Sequence, residues 1–182
     1  LFAGVVVFDV LLVAAALRLG VRRTPRLAVR ATIRELRPWQ LVLVVAAAGA
    51  VAWRCVLAVV LPPFAYDALT YHLTAVASWV QSGRIGPNPY AACCARYPAN
   101  AEVLFAWPAI FLHRDTLVDA VQIVSALVGA LAIAGLARSA GVSRAGAATG
   151  GSLFLLIPIV LTQSNTDYND LTVAALFLAA LY

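Results

Sequence analysis

The chain has 182 residues, of which 63% are hydrophobic and 12% charged, and its net charge is +5. Soluble domains carry about 25% charged residues, so this composition excludes an ordinary soluble domain and points to an integral membrane protein. The basic excess is arginine alone, and its concentration in short stretches between apolar runs points to membrane topology rather than to nucleic acid.

No methionine is present, and the chain opens and stops inside apolar runs. The simplest expectation is the N-terminal part of a longer polytopic protein, all-α, with interfacial helices in its first large outer loop. Residues 1–17 form the first apolar run, broken only by Asp9, and no charged stretch precedes them as a signal peptide requires. Residues 18–39 then carry seven arginines, Arg18, Arg22, Arg23, Arg26, Arg30, Arg34 and Arg37, against Glu35. By the positive-inside rule this is a cytoplasmic loop.

A second span runs over 40–61 and is closed by Pro62-Pro63. Arg54 lies inside it, either snorkelling outward or facing the bundle interior. Residues 62–116 then form a large outer loop. Within it, Tyr66 to Gln81 has helical periodicity, with Leu69, Leu73, Val76 and Val80 as an apolar stripe and Asp67, Tyr71, Thr74 and Ser78 as a polar one. Such a helix lies in the interface plane. Gly86-Pro87-Asn88-Pro89 marks a turn, and Asn100 is placed to cap a short apolar helix over 101–112. Asp115 or Thr116 caps a third span at 117–137, followed by a short loop at 138–144 with two arginines. A fourth span, 145–161, tolerates its glycine pair and Pro158 as membrane helices do. The outer loop 162–170 precedes a last span at 171–182. Nine of the thirteen arginines fall in the two loops read as cytoplasmic, so the reading is a multi-pass plasma-membrane protein with its active loops on the extracytoplasmic side.

Two outer clusters hold the polar groups fit for chemistry. Asp67 has the chemistry of a general base or of a helix cap, and its position at a helix start favours the cap. Asp167 and Asp170 are likewise placed as a cap and a first-turn acid, yet the cluster from Asn165 to Asp170 is denser in polar groups than a cap needs. Arg96, beside Tyr97-Pro98, suits phosphate oxygens. His72 adjoins Tyr71 and offers a ring nitrogen to an acceptor. The cysteines supply neither a C-x-x-C nor a zinc spacing, and phosphate-binding glycine signatures are absent.

The order of these features resembles a family. An apolar span is followed by Asp67-x-x-x-Tyr71-His72, a helix ending Trp79-x-x-x-Gly83-x-Ile85, Arg96 before Tyr97-Pro98, a Leu104-x-x-Trp107 helix, Asp115-x-Leu117-Val118 before the next span, and later Thr166-Asp167-Tyr168. Over residues 40–182 this is similar to the C-type integral-membrane glycosyltransferases, the group of aminoarabinose transferases, protein O-mannosyltransferases and bacterial core-sugar transferases. The resemblance implies inverting transfer of a sugar from a polyprenyl-phosphate donor to a hydroxyl acceptor on a glycan, lipid or protein. It implies catalytic roles for Asp67 and Asp167, with Tyr71, His72, Arg96, Tyr97, Asn165 and Asp170 contacting substrate, Arg96 at the donor phosphate. It turns Asp67 from cap towards base. Many relatives carry paired acids at the first site; here Asp67 stands between Tyr66 and Ala68. No metal ligands are assigned, and a divalent metal is compatible with the family but not indicated. The implied partners are membrane lipid, the lipid-linked donor and the acceptor, without nucleic acid. The competing expectation is a non-enzymatic polytopic protein, a transporter or a lipid flippase component, with polar groups at mid-membrane and broken helices.

Overall fold

The structure is a computed structural model that describes residues 25–95 and 97–182, without the side chains of 25–28. The proposed first span, Asp9, Arg18, Arg22, Arg23 and Arg96 lie outside the described residues. Among the described residues the fold is all-helical, with no strand. The order is α1 (Pro25–Glu35), α2 (Pro38–Val60), a π-helical turn (Ala68–His72) running into α3 (Leu73–Ser82), α4 (Asn100–Leu112), α5 (Ala120–Ser139), α6 (Arg144–Leu155), α7 (Pro158–Gln163) and α8 (Asp170–Leu181).

Two of these, α2 and α5, are long and apolar enough to cross a membrane. With 23 residues, α2 is about 35 Å long, against the ~30 Å of a bilayer's hydrocarbon core. Val42, Val45, Trp53, Val56 and Val59 leave its outer face apolar and exposed. The basic stretch read as a loop over 18–39 contains α1 instead. Arginine is a good helix former, and topology rules set a loop's side without excluding a helix in it.

Helix α5 is the centre of the main bundle, packing on α6 and α8, while α2 closes on α6. Small residues set the α5–α6 approach. A methyl group on Gly151 would stand 2.8 Å from the Ala130 carbonyl oxygen, and one on Gly129 would stand 2.8 Å from the Phe154 ring. Ala126, Ala130, Phe154, Val160 and Leu171 form the core there. Buried polar pairs pin the same interfaces: Gln40 Nε2 donates to Thr149 Oγ1 at 2.9 Å across α2–α6, and Ser125 and Thr172 share a 2.9 Å hydroxyl contact across α5–α8. In apolar surroundings such pairs fix register, because the alternative is an unsatisfied polar group.

The expected continuous span over 145–161 is broken. Helix α6 stops at Leu155, and Pro158 starts the short α7 after Ile157 turns extended. Proline supplies no N–H, and the Phe154 carbonyl it leaves without a partner accepts from Ile157 N–H at 3.1 Å instead. At the start of α5 the N-cap position is Asp119, rather than Asp115 or Thr116. Helix α4 begins at Asn100 itself and has no side-chain cap bond.

A second, smaller unit joins α3 and α4 over a core of Val76, Trp79, Phe105, Ala106 and Val118. Gly83, at φ 67, ends α3 in the left-handed conformation. The chain then folds back: Trp79 Nε1 donates to the Gly86 carbonyl at 2.7 Å, and the Asn88 amide donates to the Tyr71 carbonyl and to Thr74 Oγ1, each at 2.9 Å. The π turn shifts the helical ladder, and Asn88 takes up a carbonyl beside that shift.

Gly151→Ala is expected to lower the unfolding midpoint, since its methyl group meets backbone that cannot yield cheaply, an overpacking cost of about 1–3 kcal/mol. Gly49→Ala, where nothing lies within 4 Å, is expected to leave the midpoint unchanged or raise it. Thermal unfolding of the two variants side by side is the measurement.

Candidate functional site

The start of the 66–82 segment meets α4 and Tyr168 through His72, and Tyr71 lies within reach of Asp170 at the start of α8. Asp67 stands at the first turn with helical backbone angles and makes no side-chain cap bond. Its carboxylate instead faces the Tyr71 hydroxyl one turn on, the i, i+4 relation of a helix. Burial, then the charge and hydrogen-bonding reach of Asp67, pushes the Tyr71 hydroxyl up to about 12, with smaller contributions from Cys94 and Asp170. Asp67, Tyr71 and Asp170 therefore share one locality. Asp170 is exposed and accepts from Gln163 Nε2 at 3.0 Å. Tyr97 is also exposed and meets Tyr71 edge-on, with ring centroids 6.2 Å apart.

Behind this surface lies a buried layer. His72 is 2% exposed and Glu102 4%. The His72 Nδ1 and Glu102 Oε1 atoms are 2.5 Å apart, so the carboxylate fixes the ring's orientation. The His72 ring packs 4.2 Å from Tyr71, 6.3 Å from Tyr168 and 6.5 Å from Phe105, centroid to centroid. The π turn is what sets Tyr71 and His72 on this side together, while Leu69 and Leu73 turn away.

A third layer is deeper. Asp167 is fully buried, at φ 51, and approaches Asp119 at the start of α5. Burial, then the neighbouring Asp119 and the charge of Asp115, pushes its carboxyl from 3.8 up to about 9. Burial likewise raises Asp119, opposed by Asp167 and the Asn165 amide and reinforced by Asp115. Asn165 Nδ2 donates to the Arg54 carbonyl of α2 at 3.1 Å, and Gln122 Nε2 donates to the Tyr168 carbonyl.

Among the residues picked out from sequence, the structure thus gathers Asp67, Tyr71, His72, Tyr97 and Asp170. The acid near Asp67 and Tyr71 is Asp170, while Asp167 and Asn165 belong to the inner layer. Arg96 is not among the described residues. Sequence reasoning missed Glu102 and Asp119. The available signal was isolation: Glu102 is the sole charge in α4, and Asp119 directly precedes the apolar run of α5. Among the described residues no three His, Cys, Asp or Glu side chains form a metal-binding group.

The apolar stripe of α3 has a separate environment. Leu69, Leu73, Val76 and Val80 line an open groove of about 730 Å³ whose far wall carries His113 and Arg114.

Comparison of the chain with protein-family models, with characterised proteins and with solved structures finds no match.

The folded state keeps the Asp167 proton to higher pH than an unfolded chain does. Stability is therefore fullest below the ordinary carboxyl range and is lost as pH climbs through about 9. Unfolding midpoints measured in chelator-treated buffer should fall between about pH 5 and about pH 9.5. Asp167→Asn, which suits the left-handed backbone equally well, should flatten that slope.

Proposed function

We propose that the chain is a multi-pass membrane glycosyltransferase that moves a sugar from a polyprenyl-phosphate donor to a hydroxyl acceptor at the extracytoplasmic face of the plasma membrane, with inversion. The observation that carries this reading is the placement of Asp67. Its carboxylate is turned away from the helix ladder and towards a half-buried tyrosine hydroxyl, at an accessible face backed by a rigid His72–Glu102 pair. A helix cap would have spent that carboxylate on backbone N–H groups. The apolar outer face of α2 supplies the surface a bilayer would cover.

In this mechanism the acceptor hydroxyl attacks the anomeric carbon from the side opposite the phosphate. Its proton passes to Asp67 as the new C–O bond forms. The bond from the anomeric carbon to the phosphate oxygen breaks, and the polyprenyl phosphate leaves with the electron pair. Tyr71 holds the Asp67 carboxylate in place. His72, fixed by Glu102, holds the Tyr71 ring. Arg96 directly precedes Tyr97 in the sequence, and a guanidinium has the shape to meet the departing phosphate charge.

A second reading, a cation- or proton-coupled transporter, draws on one observation: the helix break at Pro158 and the buried acids that follow it. The two readings separate on Asp67. In the transferase, Asp67→Asn lowers turnover by roughly 10²–10⁴-fold, the range of a lost general base, with folding intact. Tyr71→Phe lowers it by roughly 10- to 100-fold, through loss of one hydrogen bond to a charged group. The assay is transfer from a polyprenyl-phosphate sugar to a hydroxyl acceptor by the purified protein. Near-normal turnover of Asp67→Asn would remove the base assignment.

A further inference from the structure

The inner layer is built almost wholly from unsatisfied acceptors. Among the described residues, Asp119 Oδ1 and Oδ2, Asp167 Oδ1 and Oδ2, Asn165 Oδ1 and Gln122 Oε1 are buried without a hydrogen-bond partner. Buried polar atoms are seldom left so, because each one costs its full desolvation. Here six such atoms come from four residues at one place.

The amides show that this is not an accident of side-chain orientation. Asn165 and Gln122 each own an NH2 group with two N–H donors and one acceptor oxygen. One N–H of each is spent outward, on the Arg54 and Tyr168 carbonyls. Turning either amide over would set its oxygen against one of those carbonyls. Their free oxygens are thus fixed by the hydrogen bonds of their own nitrogens. Both residues are nearly inaccessible, Asn165 at 2% and Gln122 at 0% exposure.

The four residues converge from two directions. Asp119 and Gln122 are three apart at the start of α5, on one helix face. Asn165 and Asp167 alternate along the segment between α7 and α8, and Gln122 ties that segment to α5 through Tyr168. Asn165 approaches Asp119, as Asp167 does, without completing a hydrogen bond. Two ionised carboxylates have no proton to share, and a single shared proton would satisfy two of the six oxygens. The positive end of α5 amounts to roughly half a charge against two carboxylates.

We propose that Asp119, Gln122, Asn165 and Asp167 bind a hard divalent cation of the calcium type. An all-oxygen set of two carboxylates and two amide carbonyls matches the ligands calcium takes. It lacks the sulfur and imidazole ligands favoured by zinc or copper. The cation neutralises the pair, satisfies the amide oxygens, and ties the start of α5 to the segment that leads into α8. This assignment stands whether or not the protein transfers sugar.

The test uses the protein purified in detergent and stripped with chelator. Terbium, a luminescent calcium substitute, is expected to bind and to be sensitised by the adjacent Tyr168, with calcium displacing it. Calcium in large excess over its dissociation constant should raise the unfolding midpoint by roughly 5 °C or more. Asp167→Asn should abolish both responses, yet unfold at a higher temperature than the wild type in chelator, because an amide has no charge to give up when it is buried beside Asp119. Glu35→Gln, whose carboxylate sits at an exposed 4.0 Å pair with Arg144, should respond as the wild type does. A wild-type midpoint insensitive to calcium and magnesium, or terbium binding that survives in Asp167→Asn, would overturn the assignment.

Discussion

The contact on which the candidate site depends is the 2.5 Å approach of His72 Nδ1 to Glu102 Oε1. It joins the π turn before α3 to the first turn of α4. Both groups are nearly inaccessible, so each needs the other: a buried carboxylate or imidazole without a partner carries a desolvation penalty of several kcal/mol. That mutual need fixes the ring of His72, and the ring fixes Tyr71 and with it the surroundings of Asp67. Removing Glu102 would leave the chemistry of Asp67 intact and its position loose.

Polar groups are graded in depth. Asp170 and Tyr97 are open to solvent, Asp67 and Tyr71 are half-buried, His72 and Glu102 are closed off, and Asp119 and Asp167 lie deepest. In the proposed transferase, a gradient of this kind would let an outer carboxylate exchange protons with substrate while the inner groups hold geometry. The close approach of α5 and α6 over Gly129 and Gly151 keeps the deepest layer in register, since Asp119 sits at the head of α5 and Asn165 reaches back to α2.

Much of the architecture was legible in the residues, for identifiable reasons. The long apolar runs of α2, broken by Arg54, and of α5 have the length and composition of spanning helices. The alternating stripes of 66–81 predicted a two-faced helix; the apolar stripe lines a groove together with Thr74, while Asp67 and Tyr71 face the polar layers. What was not legible depended on partners distant in sequence. Asp67 sits where caps sit, and only Tyr71 shows how its carboxylate is used. A lone Glu102 in an apolar helix carries no periodic signature. Asp167 reads as a helix-end acid and Asp119 falls inside the apolar run read as a span, and their convergence is a product of packing. Pro158 is compatible with a kinked or a broken helix, and the donors available to the freed carbonyls decide between them. The helix within the basic stretch escaped notice because charge placement reports a side of the membrane, not a backbone conformation.

In the proposed transferase, Asp67 serves a single inverting displacement at a sugar. The most direct measurement is the anomeric configuration of the product, determined by NMR after incubating the purified protein with a polyprenyl-phosphate sugar of known anomer and a hydroxyl acceptor. A glycoside of configuration opposite to the donor is expected. A product of retained configuration, or donor left intact across acceptor classes, would contradict it.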